Sequence, residues 1–522
     1  MSPEPEETRE EPAATPARRS TLVWLGVAAF VVGLVISISR SYSYKDETWF
    51  LQILDRMASG DALYRDVWFS PTPFAPYLGR GLVEVLGTRI AVVKGMNALE
   101  FGLVATMAFA AVSWFGGRRE RWLLLGAIVA LAAPVPDGPY TALAYAAMLG
   151  SALAVLAWLR DPARGVRLLV VAGALAGVGL GFKQNVGILA AGAAGLAALL
   201  APAANGVRER FSRGMWVAGG FLAVTLGVLG LLLASGSWSA FVHHGIATQG
   251  EYLRDASVSY LSEIGRWVET FSADWPAGGP SALRDTSMVL PLIALPLIAL
   301  VAVTARGRDR PRMWTLFGFG AAAVAGVHPR WDAVHLRHAA PILLLGLTIG
   351  ALTVRRRFGL RTRRVSSILA VAVVVLAVAS LVGRSGLRLV SDPRSALPQF
   401  WPALANSNEE QMIRWAGQLE TATADLRPTL ILVPSASFYY LVTDMQNVTP
   451  FDYPLSVIIS DASKRLIEDL RSGRIRSVCF RGSDWAAVFE TLEPRLVTEF
   501  VEREMRPVAV TEACTIYTLP SS

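Results

Sequence analysis

The stretch Thr21-Leu-Val-Trp-Leu-Gly-Val-Ala-Ala-Phe-Val-Val-Gly-Leu-Val-Ile-Ser-Ile-Ser39 carries no charge, and Arg18-Arg19 and Arg40 bracket it. A helix of that length covers the roughly 30 Å hydrocarbon core of a bilayer and satisfies its own backbone hydrogen bonds there. Directly behind it comes Tyr42-Ser43-Tyr44-Lys45-Asp46-Glu47-Thr48-Trp49-Phe50, which puts two adjacent carboxylates at a membrane surface. A span followed at once by paired acids sets the reading of everything after it.

Outward from that segment the composition is that of a polytopic α-helical membrane protein. Of 522 residues, 53% are hydrophobic and only 17% charged, with a mean hydropathy of +0.42; soluble domains carry about 25% charged residues. Apolar runs recur at 95–115, 122–133, 140–159, 167–182, 186–204, 215–234, 287–305, 313–327, 339–354 and 366–384. With the first span they make about eleven crossings. Pro134, Pro136 and Pro139 interrupt 122–159, which therefore reads as a hairpin rather than one crossing. Gly173, Gly177 and Gly181, four residues apart inside a span, suit a helix-packing face better than a phosphate cradle, and no P-loop is present.

The net charge of +8 and pI near 9.7 would suggest nucleic acid in a soluble protein. Here topology accounts for it, and no nucleic-acid partner is expected. With the N-terminus cytoplasmic, the inside segments hold Arg118, Arg119 and Arg121, then Arg160, Arg164 and Arg167, then Arg208, Arg210 and Arg213. Arg306, Arg308, Arg310 and Arg312 follow, and then the run from Arg355 to Arg364. The outside turns hold almost no basic residue, as the positive-inside rule requires. Residues 1–20 read as a disordered cytoplasmic tail and 21–384 as the transmembrane domain. The first outer loop (40–88), the loops 235–286 and 328–338, and the region from 385 lie outside a plasma or inner cell membrane.

In the first outer loop, Asp46 or Thr48 can cap a helix that runs to about Ser59 and stops at Gly60. Trp49, Phe50, Ile53, Leu54 and Met57 share one side of it, so it reads as an amphipathic helix in the membrane interface. Taken alone, Asp46 and Glu47 are solvated interfacial acids, the second favouring a helix N-terminus. The continuation adds Gly60, Tyr64 and Asp66, and then Ser70-Pro71-Thr72-Pro73.

At these residues the chain resembles the GT-C membrane glycosyltransferases, in the branch of protein O-mannosyltransferases and aminoarabinose transferases (family 39-like). Members begin with a span, an outer loop bearing Asp-Glu, an interfacial helix, a Gly-x-x-x-Tyr-x-Asp segment and a Pro-rich stretch. Asp46-Glu47, then Gly60 with Tyr64 and Asp66, then Pro71-Thr72-Pro73 stand in that order. Where members often have Lys-Pro-Pro this chain has Ser-Pro-Thr-Pro, so one basic contact is missing. The resemblance covers about 21–384 and implies a polyprenyl-phosphate-linked sugar donor. It gives Tyr64 and Asp66 a structural part in loop one.

Other candidates sit on the same face. Asp137, in Pro134-Val-Pro-Asp-Gly-Pro139, is an ordinary turn aspartate or, as the resemblance implies, a second acid that orients acceptor or metal. Lys183, beside Gln184-Asn185, either snorkels to headgroups or, as in related transferases, meets the donor phosphate. His328-Pro-Arg-Trp-Asp-Ala-Val-His-Leu-Arg-His338 holds three of the five histidines. It offers a metal set in Asp332, His335 and His338, an interfacial anchor, or phosphate binding through Arg330, His335 and Arg337. Phosphate binding fits best, because outside cations run against the positive-inside trend. His243-His244 and Glu251 read as a plain surface loop.

The C-terminal region reads as a small α/β domain, 385–522, with strands at Thr429–Pro434, Ser477–Phe480 and Cys514–Leu519 and a helix at Ser463–Arg471. Cys479 and Cys514 are one disulfide or two free thiols. Asn447-Val-Thr449 fits a glycosylation triplet.

Nucleotide-activated donors are absent outside the cell, so a transferase there needs a donor carried in the membrane. The expected activity is inverting transfer from a polyprenyl-phosphate-linked sugar to a glycan, lipid or protein acceptor. Asp46 is the base, Glu47 supports it or binds a divalent metal (Mg or Mn), and Lys183, Arg330, His335 and Arg337 meet the departing phosphate. A lipid-linked glycan flippase, a polysaccharide polymerase and a non-enzymatic membrane scaffold are the rivals.

Overall fold

A computed structural model describes residues 18–115, 118–134, 137–162, 165–202, 206–255, 257–273, 285–358, 394–405, 407–452, 456, 459–482 and 495–520. The expected span at 366–384 and the tail at 1–17 lie outside them. Ten of the expected runs are helices: α1 (Arg19–Ile38), α4 (Ile90–Trp114), α5 (Arg118–Ala132), α6 (Pro139–Arg160), α7 (Arg167–Phe182), α8 (Gln184–Leu200), α9 (Gly206–Ala234), α13 (Leu290–Thr304), α14 (Asp309–Ala325) and α15 (Ala333–Phe358). Among the described residues five of these, α1, α4, α6, α9 and α15, are long and apolar enough to cross a membrane, and α7, α8 and α13 are shorter apolar helices.

The glycine face expected on α7 is where α9 packs. A Cβ at Gly173 would run into the carbonyl of Val217, one at Gly177 into Val224, and one at Gly220 of α9 into the carbonyl of Val170. Glycines let these two backbones approach closely. The basic segments expected on the cytoplasmic side gather at one end of the bundle. Arg355 meets Glu120, Arg356 donates to the carbonyl of Phe115, and Arg312 lies over the Phe115 ring.

The opposite end is roofed. After α1, Ser43 turns the chain into α2 (Asp46–Ala58). The cap differs from expectation: the Ser43 hydroxyl accepts the Asp46 N–H at 3.0 Å, and the Glu47 carboxylate accepts the Ser43 N–H at 3.0 Å. This reciprocal closure resembles a capping box. Gly60, at φ 112°, lets the chain leave α2. A helix not foreseen, α3 (Phe74–Leu86), begins in the Pro-rich stretch; Pro76 falls in its first turn, where no amide donor is needed. Loop 235–286 forms α10 (Trp238–Val242), a π-turn (His243–Ala247), α11 (Gln249–Asp255) and α12 (Tyr260–Ala273).

Instead of lying open in an interface, α2 is covered by the C-terminal domain. That domain carries a four-stranded sheet in the order β1 (Thr429–Leu432), β2 (Ser477–Phe480), β4 (Thr515–Thr518), β3 (Arg506–Val510). The first pair is parallel and the other two antiparallel. Around it pack α16 (Glu409–Ala422), α17 (Ala436–Val442), α18 (Ser460–Arg471) and α19 (Arg495–Glu504). Three expected strands and the α18 helix stand where expected, while β3, α16, α17 and α19 were not foreseen. Cys479 and Cys514 form a disulfide. Asn447 is no glycan acceptor surface: its amide is buried and donates to the Phe451 carbonyl and the Asp452 carboxylate.

Polar ties hold the two parts together. Arg56 of α2 bonds Asp452 at 2.8 Å and the Thr449 carbonyl at 2.8 Å, and the Trp68 N–H donates to the Pro450 carbonyl. Tyr42 stacks on Phe400 at 4.3 Å. The loop expected to be plain surface is in fact a clamp: His243 bonds Asp461 at 2.8 Å, and the Glu251 carboxylate accepts the Ser460 N–H at 2.9 Å at the start of α18. His244 beside it is buried.

Candidate active site

Loop one supplies the frame. Tyr64 takes a positive φ of 71°, rare for a side chain of its size. Its buried hydroxyl donates to the Pro71 carbonyl at 2.6 Å. The Asp66 carboxylate accepts the Ala62 N–H at 2.9 Å, and Arg56 donates to the Asp66 carbonyl at 2.7 Å. Both residues thus make hydrogen bonds within loop one. Thr72 reaches the Leu180 carbonyl, tying the Pro-rich stretch to the end of α7.

Below this frame, between α7, α8, α9 and α10, lies a cavity of about 640 Å³, within the usual range for small-molecule sites. Its lining divides by chemistry. Lys183, Arg330 and His335, with Gln184, Asn185 and His328, supply its charged and polar groups; Val228, Leu229, Leu232, Trp238 and Phe241 supply apolar ones. Gln184 donates to the carbonyls of Ser70 and Gly245, and Asn185 to that of Gly326. The amides thus fix the α7–α8 turn that carries Lys183. Burial lowers the Lys183 ammonium to about 8, against the opposing pull of Asp137 and Asp332.

The segment 328–338 splits into two groups. Asp332 bonds the His335 ring at 2.7 Å and stands 3.5 Å from Arg330, orienting both toward the cavity. Burial pushes the Asp332 carboxyl up, but the bond to His335 and the charge of Arg330 outweigh it and hold it below its usual range. Arg337 and His338 instead approach Asp137, at 3.8 and 3.7 Å. Arg337 is buried and is not among the residues that line this cavity. The metal set expected of Asp332, His335 and His338 is divided in the same way. Among the described residues no group of three or more His, Cys, Asp or Glu could hold a metal.

The acids also separate. Asp46 is half-buried, with Asp137, Lys45, His335 and Arg330 in electrostatic reach. Burial, reinforced by the Asp137 charge, raises its carboxyl to about 6. Burial also pushes Asp137 up, but the nearby His338 ring and the Arg337 charge outweigh it and hold Asp137 well below the usual carboxylate range. Two carboxyls driven apart in this way suit one fixed anion and one group that exchanges a proton near neutrality. Glu47, expected to stand with Asp46, is fully buried and paired with Lys94 of α4 at 3.0 Å. The same carboxylate accepts the Ser43 N–H.

Lys94 stands just before the expected span at 95–115 and Asn97 and Glu100 within it, and none of the three was among the expected site residues. Their spacing on successive turns of an apolar helix is the signal that could have found them.

This arrangement, a helical bundle roofed by a loop helix and a small α/β domain, is a fold shared with solved structures. Among solved structures, the chain is similar to ArnT from Cupriavidus metallidurans bound to undecaprenyl phosphate, at 16% identity and a TM-score of 0.56, covering 96% of this chain and 98% of that one. Against the same ArnT in the apo state the values are 14%, 0.57, 95% and 98%. Likeness at these identities establishes the fold. No family model and no curated protein sequence matches the chain.

Proposed function

We propose that the protein is a membrane glycosyltransferase that moves a sugar from a polyprenyl-phosphate-linked donor to an acceptor hydroxyl on the extracytoplasmic face. The observation that carries this reading is the mixed lining of the cavity: basic side chains at Lys183, Arg330 and His335 together with apolar α9 and α10 side chains. A phosphate on an isoprenoid chain presents the same two chemistries. The fold shared with an ArnT bound to undecaprenyl phosphate supports it. The arginine-rich end of the bundle supports the orientation, by the positive-inside rule.

The reaction is an inverting displacement. The acceptor oxygen attacks the anomeric carbon of the sugar while its proton passes to the Asp46 carboxylate. The bond from that carbon to the phosphate oxygen breaks, and the lipid phosphate leaves with the electron pair. Lys183, Arg330 and His335 stabilise its charge, while Arg337 and His338 hold Asp137 in place. The test incubates the purified protein in lipid nanodiscs with polyprenyl-phosphate sugars and candidate acceptors. Transfer by the wild type and its loss in Asp46→Asn support the reading. Full transfer by a folded Asp46→Asn protein overturns the base, and translocation of the lipid without transfer favours a flippase.

A further inference from the structure

Three polar side chains inside α4 have no part in the chemistry above. Lys94, Asn97 and Glu100 are all buried, at 0%, 5% and 9% exposure, on successive turns of a helix long and apolar enough to span a membrane. Charges at such depth are costly, and a helix that keeps them uses them.

Each meets a different part of the acid site. The Lys94 ammonium pairs with Glu47 at 3.0 Å. The same carboxylate oxygen accepts the Ser43 N–H, and the Ser43 hydroxyl accepts the Asp46 N–H and stands 3.4 Å from the Asp46 carboxylate. Asn97 donates to the Asp137 main-chain carbonyl at 3.1 Å. Glu100 is in electrostatic reach of Arg337, which approaches the Asp137 carboxylate. One face of one helix thus reaches both acids, Asp46 through Glu47 and Ser43, and Asp137 through its own carbonyl and through Arg337.

We propose that Lys94, Asn97 and Glu100 are positioning residues that hold Asp46 and Asp137 together as an interacting pair. This deepens the transferase reading and rests on it for its consequence, since the Asp137 charge adds to burial in raising the proton affinity of the expected base. Loosening either anchor moves the acids apart, weakens their repulsion and lets Asp46 ionise at lower pH. The other charged groups facing Asp46, namely Lys45, Arg330 and His335, stay in place in the variants below.

The test is an infrared titration of the Asp46 carboxyl in the full-length protein in nanodiscs, its band assigned by difference from Asp46→Asn. Lys94→Met alone strands a buried carboxylate and invites misfolding. The double variant Glu47→Gln/Lys94→Met removes both charges, and Asn97→Ala removes only an amide. The expected result is a fall of the Asp46 midpoint by about one pH unit in each, a tenfold loss of proton affinity. An unchanged midpoint in either folded variant overturns the proposal; if the double variant does not fold, Asn97→Ala decides. The titration needs no turnover. Absence of transfer by the wild type from every lipid-linked sugar would therefore count against the function alone, while the midpoints still decide the positioning.

Discussion

The two ends of the helical bundle use charge in opposite ways. At the arginine-rich end cations are many and their ties are partly solvated: Arg355 to Glu120, Arg312 to Asp309 and Arg213 to Glu209. At the roofed end, next to the cavity and under the C-terminal domain, lie pairs with a buried member: Glu47 with Lys94, Arg56 with Asp452, Asp137 with Arg337. Solvated pairs contribute little to stability, whereas removal of one member of a buried pair leaves a stranded charge. Charge number follows topology, and charge confinement follows the site.

The sharpest way to break this contrast is at Asp46. Asp46→Asn is expected to slow transfer by about 10²–10⁴-fold with an unchanged melting temperature, measured by product formation beside thermal unfolding. Lys183→Met and Arg330→Met come next, each with an expected loss of about 10²–10³-fold in kcat. Asp452→Ala probes confinement without touching the cavity. It removes one buried charged partner of Arg56, which keeps Asp61 and the Thr449 and Asp66 carbonyls, and should lower stability by about 2 kcal/mol, read by thermal unfolding, with the C-terminal domain loosened first in proteolysis.

A smaller effect is set by pH. A base acts when ionised, so transfer should fall about tenfold per unit below the Asp46 midpoint near 6. It should fall again above about 8, where Lys183 loses its proton. A rate profile across pH 5–9 reads both limbs. At the other end, Glu120→Ala/Arg355→Ala should change stability by less than about 1 kcal/mol and leave transfer untouched. An effect there as large as that of Lys183→Met would dissolve the contrast.

Much of the membrane part was legible in the sequence, because spans announce themselves through long apolar runs and arginine spacing. The α7 glycine face is one case, and its packing on α9 follows from residue size alone. Asp46, Asp137, Lys183, Arg330 and His335 drew notice because they are charged or titratable residues at the outer ends of spans, where basic residues are few. What stayed hidden depends on partners distant in the chain. Nothing local to Glu47 says that Lys94 will bury it, and nothing in Arg337 says that it faces Asp137 rather than the cavity. The covering of α2 was equally invisible, since its polar side, with Arg56, looks the same whether water or Asp452 receives it. The short strand β3 is largely exposed, and so lacked the apolar pattern that marked β1 and β2.

The most direct test of the central claim, that the cavity of mixed lining receives a lipid phosphate, is photo-crosslinking with a polyprenyl phosphate carrying a diazirine on its chain. Label is expected on the cavity-lining residues Leu229, Leu232 and Phe241, competed by undecaprenyl phosphate and lost in Lys183→Met. Label spread over the outer faces of the helices, unchanged by competitor and by Lys183→Met, would contradict the claim.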